Sequence, residues 1–331
     1  MSGVTFRKIT ADEADLRLDR WFKRHFPGLT HGRLEKMLRK GQVRVDGKKV
    51  KGNTRLQAGQ EVRVPPMDAG AKDAKTKNKT SYQVSEEEAR ELQDRVLHID
   101  DLVIVLDKPA GLAVQGGSKT VKHLDAMLEA LSFEMDEPPR LVHRLDKDTS
   151  GVIVLARTAR AASDLTKAFR TKDVRKLYWA VVTPSPKMDK GKVNAPLVKM
   201  PAGSGEKVVV DEEFGKRAET YFQVIEKAAS RAAWLVMEPV TGRTHQLRVH
   251  SLMLETRIVG DGKYGGSEAF ALGKEIASQL HLHARGIRFP HPKGKVIEVF
   301  APLPEHMKRT WSFLGFDESE PDASDFSIFE D

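Results

Sequence analysis

The sequence predicts an α+β protein built from two folded modules, and three observations point there. Across residues 96–316, strand-like apolar runs (103–106, 152–155, 178–182 and 234–237) are mixed with helix-period stretches (124–131 and 159–169). They do not alternate strictly, which argues against a doubly wound parallel sheet. Residues 67–80 (MDAGAKDAKTKNKT) contain almost no core-forming side chains and divide the chain. The charge is also lopsided: residues 1–66 hold 16 Lys and Arg against 7 Asp and Glu, a net of +9 in a 331-residue chain whose total is +8. At 40% hydrophobic and 31% charged, the chain has the composition of a globular protein large enough to bury a sizeable core.

The first module, residues 1–66, reads as two helices and a hairpin. Leu18, Trp21, Phe22 and Phe26 recur at helical spacing, and Pro27-Gly28 stops that helix. Thr30 is placed to cap a second helix, with Leu34, Met37 and Leu38 inward and Arg33, Lys36, Arg39 and Lys40 outward; Gly41 suits the position after its end. Val43 and Val45 then alternate with polar residues, and Asp46-Gly47 marks a tight turn between Arg44 and Lys48. Val62 and Val64 close the module. A basic face on helices beside a basic hairpin suits a polyphosphate partner, RNA above all.

Residues 67–95 are expected to be a flexible linker and a short charged helix. Residues 317–331, with 7 acidic side chains and no basic one, are expected to be a disordered tail. No apolar run approaches 18 residues, the first dozen residues lack a signal-peptide core, and there is no cysteine. The expectation is a cytoplasmic, monomeric protein with no disulfide, metal or cofactor.

Four segments of the large module carry the candidate chemistry. Asp107-Lys108-Pro109-Ala110-Gly111 punctuates a loop after a strand and lacks the spacing of a nucleotide-binding loop. His143-Arg144-Leu145-Asp146-Lys147-Asp148-Thr149-Ser150-Gly151 feeds a buried strand, and on extended backbone Arg144 shares a side with Asp146. On the residues alone, Asp146 fits a nucleophile, a base, a metal ligand or a turn carboxylate. Paired with Asp148 it fits a glycosidase. Tyr178 opens an apolar strand and fits either a core aromatic or a site residue. The fourth segment, Thr241-Gly242-Arg243-Thr244-His245-Gln246-Leu247-Arg248-Val249-His250, is dense in polar and basic groups.

Together these words resemble a known family. Residues 15–65 are similar to the S4-type RNA-binding domain, through Arg17-Leu18-Asp19, Gly41-Gln42-Val43-Arg44-Val45-Asp46-Gly47 and Ala58-Gly59-Gln60-Glu61-Val62. The 143–151 and 241–250 segments, with Gly260-Asp261, Tyr264-Gly265 and Leu282-His283-Ala284, resemble the RluA/RluC/RluD family of pseudouridine synthases. Asn194-Ala195-Pro196-Leu197 and Gln115-Gly116-Gly117 are most similar to its RluC type, which acts on large-subunit ribosomal RNA. The resemblance implies a central mixed, mostly antiparallel sheet flanked by helices. It also implies cofactor-free isomerisation of uridine in 23S-type RNA after the nucleotide is flipped out.

By the same resemblance Asp146 is the catalytic aspartate, Arg248 its ion-pair partner, and Tyr178 the ring against the target base. Arg144 fills the gap left in the RNA, while Arg243 and His245 contact RNA beside the site. Arg33, Lys36, Arg39, Lys40, Arg44 and Lys48 contact RNA from the S4-like module. Two other readings remain open at this point: a non-catalytic RNA-binding protein, and a nucleoside hydrolase using Asp146 and Asp148.

Overall fold

The computed structural model describes residues 4–66, 82–117, 120–203 and 205–330. The chain divides into two compact units, Met1–Thr80 and Ser81–Asp331. The expected 67–80 linker lies outside the described residues.

In the first unit the order is β1 (Thr5–Lys8), α1 (Leu18–His25), α2 (His31–Arg39), β2 (Arg44–Val45), β3 (Lys48–Lys49) and β4 (Glu61–Val64). The strands form one sheet in the order β1-β4-β2-β3. Both helices are amphipathic, and they bury Leu18, Trp21, Phe22, Leu34, Met37 and Leu38 against Val43, Val45, Val62 and Val64. The Thr30 side chain accepts from the Arg33 backbone N–H, as a cap should. Asp46 and Gly47 both take positive φ (48° and 73°), the geometry of a two-residue hairpin turn with the strand twist.

The second unit runs α3 (Glu86–Gln93), β5 (Val96–Ile99), β6 (Val103–Lys108), the single turn α4 (Leu124–Met127), β7 (Arg140–Leu141), β8 (Ser150–Ala156), α5 (Ala159–Thr171) and β9 (Arg175–Thr183). It continues with β10 (Lys190–Asn194), β11 (Leu197–Ala202), β12 (Gly205–Val210), β13 (Glu219–Ala228), β14 (Ala232–Pro239) and α6 (Gln246–Met253). Then come β15 (Arg257–Ile258), β16 (Leu282–Pro290), β17 (Val296–Phe300) and α7 (Glu305–Leu314). The sheet order β10-β13-β14-β9-β16-β8-β6-β5 has one parallel pair, β16 with β8, and is otherwise antiparallel. The mixed, mostly antiparallel sheet is therefore present. Strands β11 and β12 form a separate hairpin. No helix among the described residues is long and apolar enough to cross a membrane.

The parallel pair fixes the end of the Asp146 loop. His283 lies opposite Ser150 and Ala284 opposite Gly151, and the Ser150 hydroxyl meets His283 Nδ1 at 2.9 Å. Gly151 has φ +107°, and a Cβ there would sit 2.2 Å from the Ala284 carbonyl oxygen. Only glycine lets the two backbones approach this closely. His281, buried like His283, meets the Thr310 hydroxyl at 2.7 Å.

Two expectations are corrected. The charged helix α3 belongs to the second unit: Leu92 is buried with Ile104, Leu106 and Leu124. The acidic tail is folded. It forms short 3-10 turns at Pro321–Ser324 and Phe326–Phe329, and it buries Ala323 and Phe326 in a cluster with Trp179, Trp234, Trp311 and Phe316. Trp179 Nε1 donates to the Ala323 carbonyl at 2.7 Å, and Arg175 pairs with Glu330. Composition misled here because two or three apolar anchors and a few specific bonds suffice to hold an acidic strand of chain on a prepared surface.

Candidate active site

Asp146 stands on a loop pinned on both sides. Before it, His143 Nε2 accepts the Val154 N–H at 2.8 Å and the ring stacks on Phe169. Burial pushes this imidazole down to about 3, so it stays neutral and can act as that acceptor. After it, the Lys147 carbonyl accepts from the Gly111 N–H at 2.9 Å and from Lys108 Nζ at 3.1 Å. Lys108 is fully buried and also donates to the Pro109 and Leu112 carbonyls at 2.8 and 2.9 Å. Burial lowers its ammonium to about 7, with the Asp148 and Asp146 charges opposing that fall. The 107–111 segment is thus a splint for the Asp146 loop.

Arg248 projects from α6 toward the same place, but its tight partner is Asp261. Nε and Nη2 donate to the two Asp261 oxygens at 2.8 and 2.6 Å, a bidentate bond, while Nη1 stands 3.9 Å from Asp146 Oδ2. The expected pair with Asp146 is therefore an ion-pair approach longer than a hydrogen bond. Asp261 is only 2% exposed and also accepts the Lys263 and Tyr264 N–H groups at 3.1 Å. Burial opposes the Arg248 charge, and the Asp261 bonds outweigh it, so the guanidinium holds its proton more strongly than an ordinary arginine. His245 Nε2 faces the same Asp146 oxygen at 3.8 Å. Helix α6 is itself held by Gln246, whose amide donates to the Glu219 carbonyl at 2.8 Å, and by His250, which meets Thr220 at 2.9 Å.

Around Asp146 lies a cleft of about 850 Å³. Tyr178, Arg144, Arg243, His245 and Arg248 all line it, and Arg144 and Arg243 are exposed. Burial first, and the Asp146 charge second, raise the Tyr178 phenol, so it is a neutral hydroxyl throughout the working pH range. The walls add Lys147, Arg170, Lys172, Lys176 and Lys199. Burial lowers Lys176 to about 8. Asp148, which a two-carboxylate hydrolysis would need, is exposed and is not among the described residues lining the cleft.

In the first unit Arg33, Lys36, Arg39, Lys40 and Lys48 are exposed. Arg44 is half-buried and braces its own hairpin, donating to the Gly41 and Gly47 carbonyls at 3.2 and 3.0 Å. It is a structural clasp more than a free cation.

The family model for RNA pseudouridylate synthase matches residues 102–252, and that for the S4 domain matches residues 16–62. The chain is 38% identical over 311 residues to the ribosomal large subunit pseudouridine synthase C of Escherichia coli K12, covering 93% of this chain and 95% of that one. It is 36% identical over 313 residues to the Vibrio cholerae protein of the same name, covering 92% and 95%. This chain belongs to the RNA pseudouridine synthases. Among solved structures, human RNA pseudouridylate synthase domain containing 4 superimposes with a TM-score of 0.58 at 30% identity, over 69% of this chain and 96% of that one.

For a pseudouridine synthase the sequence reading left several residues of this site unassigned. Asp261, the firm partner of Arg248, and Tyr264, which contacts His245, lay in a segment noted only for its resemblance. Gly260-Asp261 followed by Tyr264 is a loop signal with a buried acid in it, but nothing local says which cation that acid serves. Arg170, Lys172, Lys176 and Lys199 come to the cleft from α5, its exit, β9 and the β11–β12 hairpin, and only the tertiary fold brings them together.

Proposed function

We propose that this enzyme isomerises specific uridines in large-subunit ribosomal RNA, using Asp146 on a nucleotide flipped into the cleft. The observation that carries the reading is the meeting of Asp146, Arg248, His245 and Tyr178 in one basic-walled cleft, although these residues come from a loop, a helix and a strand far apart in sequence. A cleft of about 850 Å³ is in the range of sites that enclose a small molecule, which suits one everted nucleotide.

Asp146 acts on the ribose, as nucleophile or as base, while the glycosidic bond from C1′ to N1 breaks. The freed uracil turns and C5 bonds to C1′ as Asp146 gives up its ester bond or returns its proton; the proton then lost from C5 is matched by one gained at N1, so the product is an isomer. Tyr178, neutral and at the cleft wall, packs on the base and is placed to move that proton. Arg144, exposed at the rim, occupies the space the nucleotide vacates, offsetting a few kcal/mol of unstacking. The lysines and arginines of the walls hold the flanking phosphates, and the exposed basic face of the S4 domain adds sequence-independent affinity.

The test uses large-subunit RNA transcribed with tritium at uracil C5. The wild-type enzyme should release tritium and leave pseudouridine at defined positions. Asp146→Asn should fold normally and lose more than about 10³-fold in rate, as expected for removal of a catalytic group. A folded Asp146→Asn variant with wild-type turnover would overturn the mechanism. Labelled transfer RNA modified faster than ribosomal RNA would overturn the substrate.

A further inference from the structure

Tyr264 hydrogen-bonds to His245, and the far side of that imidazole faces Asp146 at a distance longer than a hydrogen bond. Tyr264 is 9% exposed, and its hydroxyl has two hydrogen-bond partners among the described residues. It lies 3.1 Å from the Val208 backbone nitrogen on the β11–β12 hairpin and 2.7 Å from His245 Nδ1. The far nitrogen of that imidazole, Nε2, faces Asp146 Oδ2 at 3.8 Å.

Proton counting decides the direction of this chain. The Val208 N–H can only donate, so it uses an acceptor site on the phenol oxygen. If Nδ1 also carried a proton, the phenol would accept twice and its own proton would have no acceptor among the described residues. The bare lone pair of Nε2 would then point at a carboxylate oxygen. With the proton on Nε2 both contacts of the phenol are matched, Val208 N–H donating to Tyr264 and Tyr264 O–H donating to Nδ1, and the Nε2–H faces the Asp146 carboxylate across 3.8 Å. Burial keeps the His245 ring below its ordinary pKa, with Arg248 and Lys263 adding to that and the Asp146 and Asp261 charges opposing it. The backbone supports the same placement. His245 caps α6 at φ 52°, ψ 22°, a left-handed conformation that costs a non-glycine residue energy and persists where its surroundings demand it.

We propose that Tyr264 is a positioning residue that fixes the tautomer of His245, so that its Nε2–H is held toward Asp146 and orients the carboxylate toward the ribose. This rests on the reading of Asp146 as the catalytic group. Arg248 supplies the charge beside Asp146, and the His245 N–H supplies direction. The role of His245 is thereby shifted from an RNA contact to an orienting group within the site.

The test is long-range proton–nitrogen NMR on full-length enzyme labelled with ¹⁵N-histidine, the His245 signals being assigned by their loss in His245→Gln. Wild-type His245 should show the Nε2–H pattern, and Tyr264→Phe should move it toward a mixture. In the tritium-release assay Tyr264→Phe should lower kcat about tenfold with KM for RNA unchanged, the size typical of losing a partner that orients a histidine. A merely structural tyrosine would change stability and leave the tautomer alone. A wild-type Nδ1–H pattern overturns the proposal without any variant. So does a Tyr264→Phe enzyme with unchanged tautomer and kcat while Asp146→Asn is inactive. An active Asp146→Asn would instead remove the reading on which the proposal rests.

Discussion

Tyr178 and Trp179 are neighbours on β9 and face opposite ways. Tyr178 lines the cleft, whose walls are basic. Trp179 is fully buried against Trp234 and Trp311, with ring centroids 4.6 and 6.1 Å away, and its N–H is bonded to the folded tail. One strand thus separates a face that lines the cleft from a face that supplies cohesion. The difference teaches that the tail, although none of its described residues lines the cleft, braces the strand that presents Tyr178.

The separation can be broken from either side. Tyr178→Phe should cost about 10²- to 10⁴-fold in tritium release with the melting temperature nearly unchanged, if the phenol moves a proton. A variant that kept full rate would make Tyr178 a packing residue like its neighbour. Trp179→Ala should do the reverse. Loss of a fully buried indole should destabilise the fold by about 3–5 kcal/mol in urea titrations, while enzyme that remains folded at low temperature keeps most of its rate. Equal loss of rate per folded molecule would mean the two faces are coupled.

Cutting the chain after Phe316 should cost about 2–4 kcal/mol, from exposure of the apolar surface that Ala323 and Phe326 cover and loss of the Ala323 bond. An unchanged melting temperature would make the tail a passive cover.

Acid should weaken the molecule through its buried histidines. Burial lowers His281 to about 4 and His283 to about 3, from the ordinary 6.5. Between those values and 6.5 the unfolded chain takes up protons that the folded chain refuses, so stability falls as the pH is lowered. Between pH 6.5 and pH 5 the loss should be about 2 kcal/mol for each ring. A His281→Asn variant should show a shallower fall, and an identical slope would reject this source of acid sensitivity.

Local signals carried most of what was legible in the sequence. The Thr30 cap, the Asp46-Gly47 turn and the helical spacing of Leu18, Trp21 and Phe22 each describe a few neighbouring residues, and each is found in place. The apolar runs that became β6, β8, β9 and β14 were equally plain, because a central strand buried on both faces needs no alternation. The β11–β12 hairpin was not legible, since residues 199–202 are exposed and the two strands form a small sheet of their own. Nor was the tail, whose acidic composition spoke of solvent while Phe326 and Phe329 were committed to partners more than a hundred residues away, Phe326 near Arg175 and Phe329 on Tyr221. The cleft was half legible. Asp146, Arg144, Tyr178 and Arg248 stood out through their sequence words, and all four reach it. Which acid holds Arg248 depends on how α6 and the Asp261 loop are folded together, and no one-dimensional pattern states that.

The double grip of Asp261 on Arg248 has a consequence for turnover. Because the guanidinium is already held by the buried Asp261, the proposed reaction lets Asp146 move away without leaving Arg248 unpaired. Under that reading the acid is a guest of the arginine, and its excursion to the sugar strands no positive charge in the interior. A lysine at 248, with a single ammonium point and no second prong, would have to choose between the two acids each time the catalyst turned over.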